Sequence, residues 1–104
     1  MEGGKSTGKD VFEAVRGFAK MGKLWKIHFR NVTAPIPYFV ETFVDNGYTD
    51  MYKVMKTLVD VDYRGNLIAD HVPTMVGGRL TGWGYSIGYI RALYAAAKAE
   101  SRKG

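Results

Sequence analysis

Residues 66–73, Asn-Leu-Ile-Ala-Asp-His-Val-Pro, constrain the fold of this chain more than any other stretch. Asn66 to Ala69 has strand character, and Pro73 ends any strand there because it has no N–H to donate and holds Val72 extended. Asp and His suit the middle of a strand poorly. They suit its exposed end, where a metal or a substrate is met. Side chains alternate along a strand, so Asp70 and His71 face opposite ways unless the backbone turns between them. A turn just after Asp70 aims both into one pocket. The stretch predicts the lip of an active site.

A second strand is predicted from Leu24 to Asn31, where residues alternate with period two. Trp25, Ile27 and Phe29 make one face apolar, and Lys26, His28 and Arg30 make the other polar. Two readings fit that alternation equally: helices on one side with a wet, charged cavity on the other, or an edge strand with its polar side in solvent. Asn31 to Asn46 contains Pro35 and Pro37, shows no clear period, and is expected to be a long loop of the kind that tends to carry function.

Three helices are expected around these strands. Asp10 reads as an N-cap with Glu13 as capping-box partner, and Val11, Phe12, Val15, Phe18 and Ala19 repeat along one face up to Met21-Gly22. Asp50 opens a second helix with Met51, Val54, Met55 and Leu58 on its core face. Those methionines read as packing. Arg64-Gly65 marks the turn into the strand at Asn66. After Pro73, Gly77-Gly78 forms a loop, and a third helix is predicted over Trp83 to Ala99. Its expected buried face is Ile87, Ile90, Tyr94 and Ala97, with Gly88 allowing close approach of a neighbour. Two strands joined through a helix imply a parallel pair with a right-handed crossover. Such a pair cannot cover both of its own faces, as parallel sheets require, so the pattern is that of a slice of a larger α/β body.

Two nucleotide-binding patterns are chance matches. Gly3, Gly8 and Lys9 have P-loop spacing, but Asp10 stands where Ser or Thr should ligate magnesium, and almost no chain precedes Gly3 to form the required strand. Gly82, Gly84 and Gly88 miss the dinucleotide fingerprint by one residue and follow a loop. The 104 residues amount to at most one domain, and the absence of cysteine excludes disulfides and any thiolate metal site within this chain. The net charge of +5 comes from scattered side chains such as Lys20, Lys53 and Lys98, which read as solvated helix faces, so no nucleic-acid partner is expected. No apolar run approaches membrane-spanning length and no leader opens the chain, so no membrane partner is expected and the default location is the cytoplasm.

Four motifs, His28-Phe29-Arg30-Asn31, Glu41-Thr42-Phe43, Asp50-Met51 and Asp70-His71-Val72-Pro73, resemble the mannonate dehydratase family in order and spacing. The resemblance runs on through Gly84-Tyr85-Ser86-Ile87-Gly88-Tyr89. It implies an α/β fold of the (β/α)8 TIM-barrel type, with residues 1–104 as its C-terminal portion: about two βα units plus flanking helices. It implies conversion of D-mannonate to 2-keto-3-deoxy-D-gluconate and water, in hexuronate breakdown. By the same resemblance His28 and Asp70 are ligands of Mn2+ or Fe2+, and His71 and Tyr85 are the catalytic acid–base pair, with their order left open. Arg30 and Asn31 fall on the substrate side, Arg30 sharing a strand face with His28 as a second clamp on the sugar-acid carboxylate.

The sequence departs from the family in one respect: a histidine and a cysteine that the family's metal site takes from earlier strands have no counterpart here. Two ligands leave a divalent ion largely hydrated. The isolated chain is therefore expected to bind metal poorly and to turn over no mannonate, with the missing barrel segment or a second copy as its partner. The rival classes are a small basic module that stacks single-stranded nucleic acid on its aromatics, and a structural piece that self-assembles through open strand edges.

Overall fold

The computed structural model describes residues 10–34 and 38–103. The P-loop-like spacing at Gly3, Gly8 and Lys9, and the two prolines Pro35 and Pro37, lie outside the described residues.

The elements run α1 (Val11–Lys20), β1 (Lys26–Phe29), β2 (Asn31–Val32), β3 (Glu41–Thr42), α2 (Met51–Asp60), β4 (Asn66–Ala69) and α3 (Arg79–Lys103). Both expected N-caps form. The Asp10 carboxylate accepts from the Glu13 N–H at 2.8 Å and the Asp50 carboxylate from the Lys53 N–H at 3.0 Å, each satisfying an N–H that the first helical turn leaves over. Strands β1 and β4 pair in parallel, with Lys26 opposite Asn66 and Phe29 opposite Ala69. Helix α2 lies within the connection between them, as the strand–helix–strand order requires.

The core is built where these elements meet. Phe29 and Ala69, the last residues of the two paired strands, are buried with Val54, Met55 and Leu58 of α2 and Ile90, Leu93 and Ala97 of α3. Met51, Val54, Met55 and Leu58 all face inward, as their spacing predicts. Helix α1 contributes less: Val11, Phe12 and Val15 are only partly buried against the core, and Phe18 is exposed.

Four expectations need correction. Trp25 is 75% exposed, because pairing with β4 begins only at Lys26 and leaves the indole outside the sheet. The stretch from Asn31 to Asn46 is more than a loop: β2 and β3 pair antiparallel, Asn31 opposite Thr42 and Val32 opposite Glu41. Helix α3 begins at Arg79, four residues before the predicted start, directly after Gly77 and Gly78, whose φ of +101° and +97° suit glycine alone.

The fourth correction concerns the face of α3. Its buried stripe is Ser86, Ile90, Leu93 and Ala97, whereas Ile87 and Tyr94 are half exposed. Ile90 and Ala97 are buried as expected, while Ser86 and Leu93 take the places of Ile87 and Tyr94, each one position earlier; both sets satisfy helical periodicity, and contact with α2 selects one. Gly88 has open space around it, and the close approach falls instead at Gly82. A Cβ there would stand 2.9 Å from the carbonyl oxygen of Pro73.

Candidate functional site

The C-terminal ends of β1 and β4 lie side by side because the strands are parallel and in register. Alternation turns Ile27 and Phe29 toward the helices and leaves His28 on the opposite side, and on β4 it gives Asp70 that same side. His28 Nδ1 consequently stands 3.3 Å from Asp70 Oδ2. The chain then makes the turn that the alternation problem demands. His71 adopts φ +49°, in the left-handed region that few residues other than Gly, Asn, Asp and His enter. Its ring swings back, placing Nε2 3.5 Å from the same Asp70 Oδ2. One carboxylate oxygen thus lies between two imidazoles.

Arg30 and Glu41 extend the cluster. The Arg30 side chain, 12% exposed, donates through Nη1 to Glu41 Oε1 at 2.9 Å, and the same oxygen is 3.5 Å from His71 Nδ1. Antiparallel pairing of β2 with β3 accounts for this meeting, since it returns Glu41 to the residue just past Asn31.

Asn31 and Tyr85 stand apart from the cluster. Asn31 is 1% exposed, and its amide is occupied within the chain: it donates to the carbonyls of Val44 and Thr49 and accepts from the N–H groups of Val32 and Thr49. It holds the 44–49 loop from beneath. Tyr85, on the exposed side of α3, packs edge-on against Phe43 with ring centroids 5.6 Å apart. Its hydroxyl donates to Asp45, and that hydrogen bond, with some burial and the nearby negative charge, raises the phenol above its usual pKa of 10.0. The segment from Glu41 to Asp45 therefore touches both groups of candidates, through Glu41 on one side and through Phe43 and Asp45 on the other.

Sequence reasoning assigned no role to Glu41 or Asp45. Glu41 did lie in a recognised motif, which was the available signal; Asp45 carried none. Two hollows among the described residues, of about 250 and 360 Å³, lie elsewhere, against Tyr63, Arg64 and Gly65 where the chain enters β4. The strand-end cluster is an open shelf.

The donor set can be tested for a divalent ion. An imidazole nitrogen and a carboxylate oxygen 3.3 Å apart have about the spacing of neighbouring ligands on an ion bound at roughly 2.1 Å. The pair fits as part of a site. Among the described residues no group of three or more His, Cys, Asp or Glu side chains is arranged to complete it.

The architecture is that of an α/β protein with histidine and carboxylate chemistry presented at the C-terminal ends of parallel strands. The family model for D-mannonate dehydratase (UxuA) matches residues 3–103, and the chain belongs to that family. It is 38% identical over 88 residues to mannonate dehydratase of Streptococcus suis (strain 05ZYH33), a match covering 83% of this chain and 24% of that protein. The mannonate dehydratase of Streptococcus pneumoniae (strain 70585) is likewise 38% identical over 88 residues. The crystal structure of mannonate dehydratase from Streptococcus suis serotype 2 matches with a TM-score of 0.77 at 31% identity, over 91% of this chain and 30% of that one. The chain spans about a quarter of the length of the curated relatives it matches.

Proposed function

We propose that residues 1–104 are the C-terminal portion of a (β/α)8 barrel and carry part of the active site of a mannonate dehydratase. The proximity of His28 and Asp70 at adjacent strand ends, with His71 turned back beside them, carries this reading. Barrel enzymes of this type work at the C-terminal ends of their strands. Two further features support a larger body. Both outer edges of the β1–β4 pair lack a strand partner among the described residues, and α3 exposes the apolar stripe Leu80, Ile87 and Tyr94.

The reaction removes the C2 proton of D-mannonate and the C3 hydroxyl as water, leaving an enol that becomes 2-keto-3-deoxy-D-gluconate. The difficulty is the C2 proton, which is only weakly acidic beside a carboxylate. His28 and Asp70 would hold Mn2+ or Fe2+, which when bound supplies a positive charge to stabilise the developing enediolate. Arg30 clamps the substrate carboxylate. Asn31 contributes from below by fixing the loop behind it. His71 accepts the C2 proton at a ring nitrogen. Tyr85, whose phenol is protonated at neutral pH as any ordinary tyrosine is, supplies the proton to the departing hydroxyl.

With two of its ligands in this chain, the ion is held weakly, and turnover requires the preceding barrel segment, from the same or another polypeptide. Its setting is the cytoplasm, as suits a family of sugar-acid metabolism. The test is NMR of the labelled chain titrated with Mn2+. Paramagnetic broadening should centre on His28 and Asp70 and vanish in His28→Ala and Asp70→Ala, while the chain alone makes no keto acid. Broadening centred elsewhere, or unaltered in both variants, refutes the assignment.

A further inference from the structure

We propose that Glu41 is a positioning residue of this site: its carboxylate bridges Arg30 and His71 and sets the guanidinium and the imidazole relative to each other. What that spacing serves rests on the dehydratase reading; the bridge itself is geometric. One oxygen, Oε1, receives the Arg30 Nη1 proton at 2.9 Å and lies 3.5 Å from His71 Nδ1. Arg30 follows β1 and His71 follows β4, so the contact spans the gap between the two strand ends.

Three observations favour positioning over a simple contribution to stability. Glu41 Oε2 is closed off from solvent and has no hydrogen-bond partner. A carboxylate oxygen sealed in this way weakens the fold, and partly buried ion pairs are often no more stabilising than apolar groups of similar size. The His71 ring has Asp70 3.5 Å from Nε2 and Glu41 3.5 Å from Nδ1, so a carboxylate stands close to each nitrogen and biases the ring toward one setting. Carboxylates that orient an imidazole through its second nitrogen recur around catalytic and metal-binding histidines. Glu41 is also built to stay in place. Val32 pairs with it across the β2–β3 ladder, and the neighbouring Val40 is tied to Thr33 by two hydrogen bonds of 3.0 Å. Asn31, between Arg30 and Val32, is locked by its own amide contacts.

The experiment uses the labelled chain without metal, at one neutral pH. In the unmutated protein the His71 side chain should hold a single χ1 rotamer, read from its three-bond couplings, and the Arg30 guanidinium protons should exchange slowly with water. In Glu41→Gln and Glu41→Ala the His71 couplings should become averaged, and Arg30 exchange should accelerate about tenfold, the equivalent of one charge-assisted hydrogen bond. Thr42→Ala, on the same strand but outside the bridge, should leave both readouts as in the parent. A merely structural Glu41 would shift amide signals of the Leu58 and Ile90 core without altering the His71 ring. The proposal is overturned if folded Glu41 variants keep the parental His71 and Arg30 signals. It is overturned equally, with no variant needed, if neither group is restrained in the unmutated chain. Failure of Mn2+ to broaden His28 and Asp70 would instead refute the dehydratase assignment and leave these metal-free signals as they are.

Discussion

Replacing Asn31 by alanine tests the support beneath the site. The side chain makes four hydrogen bonds: to the carbonyl oxygens of Val44 at 3.2 Å and Thr49 at 3.0 Å, and from the N–H groups of Val32 at 3.0 Å and Thr49 at 3.2 Å. All four partners are backbone groups, and the residue is sealed from water. At about 1 kcal/mol net per bond the upper figure is about 4 kcal/mol. A water entering the vacated space would restore part of this, giving an expected loss of about 2–4 kcal/mol. An exposed asparagine would cost only about 0.5 kcal/mol on the same substitution. The melting temperature should fall by roughly 8–32 °C, at about 4–8 °C per kcal/mol for a domain near this size. Urea unfolding followed by circular dichroism measures the free energy directly. Asn31→Asp is the informative companion: it keeps the acceptor but sets a carboxylate against two carbonyl oxygens, so its defect should ease on acidification as the acid becomes a donor. A loss below about 1 kcal/mol for Asn31→Ala, at unchanged denaturant slope, would refute the view that this amide organises the 44–49 loop.

Asp45→Asn should bring the Tyr85 phenol back toward 10.0, measured by NMR of the labelled ring, since the Asp45 hydrogen bond is the first cause of its raised value. Because the folded pKa lies above the unfolded one, the pair's contribution to stability is complete below pH 10 and is lost as pH rises through the folded value; a Tyr85 pKa unmoved by the substitution would contradict the contact. Gly82→Ala sets a methyl 2.9 Å from the Pro73 carbonyl oxygen and 3.1 Å from Val72 Cγ1, which should cost roughly 1–3 kcal/mol and disturb the chain just after His71. Gly88→Ala, on the same helix with nothing within 4 Å, should instead stabilise by up to about 1 kcal/mol through helix propensity. A Gly82→Ala melting temperature that rises, as that of Gly88→Ala should, would show that the close approach at Gly82 is misplaced.

What the amino-acid sequence determined by itself is what depends on near neighbours. Asp10 and Asp50 cap their helices because a short acceptor three residues before a free N–H needs no distant partner. Met51, Val54, Met55 and Leu58 face the core because helical spacing aligns them on one stripe. The Asp70-His71-Val72-Pro73 motif required a strand end and a turn, and the positive φ at His71 supplies that turn. These same residues, with His28-Phe29-Arg30-Asn31, also carried the family resemblance. Tertiary structure decided the rest. On α3 the pair Ser86 and Leu93 and the pair Ile87 and Tyr94 are both compatible with a face that includes Ile90 and Ala97, and only the docking of α2 buries Leu93 and leaves Tyr94 exposed. Glu41 and Asp45 acquired partners only when the β2–β3 ladder closed and α3 packed beside it, 11 residues from Arg30 in the first case and 40 residues from Tyr85 (85 less 45) in the second. Contacts across such separations depend on how the elements pack, and local periodicity does not encode that.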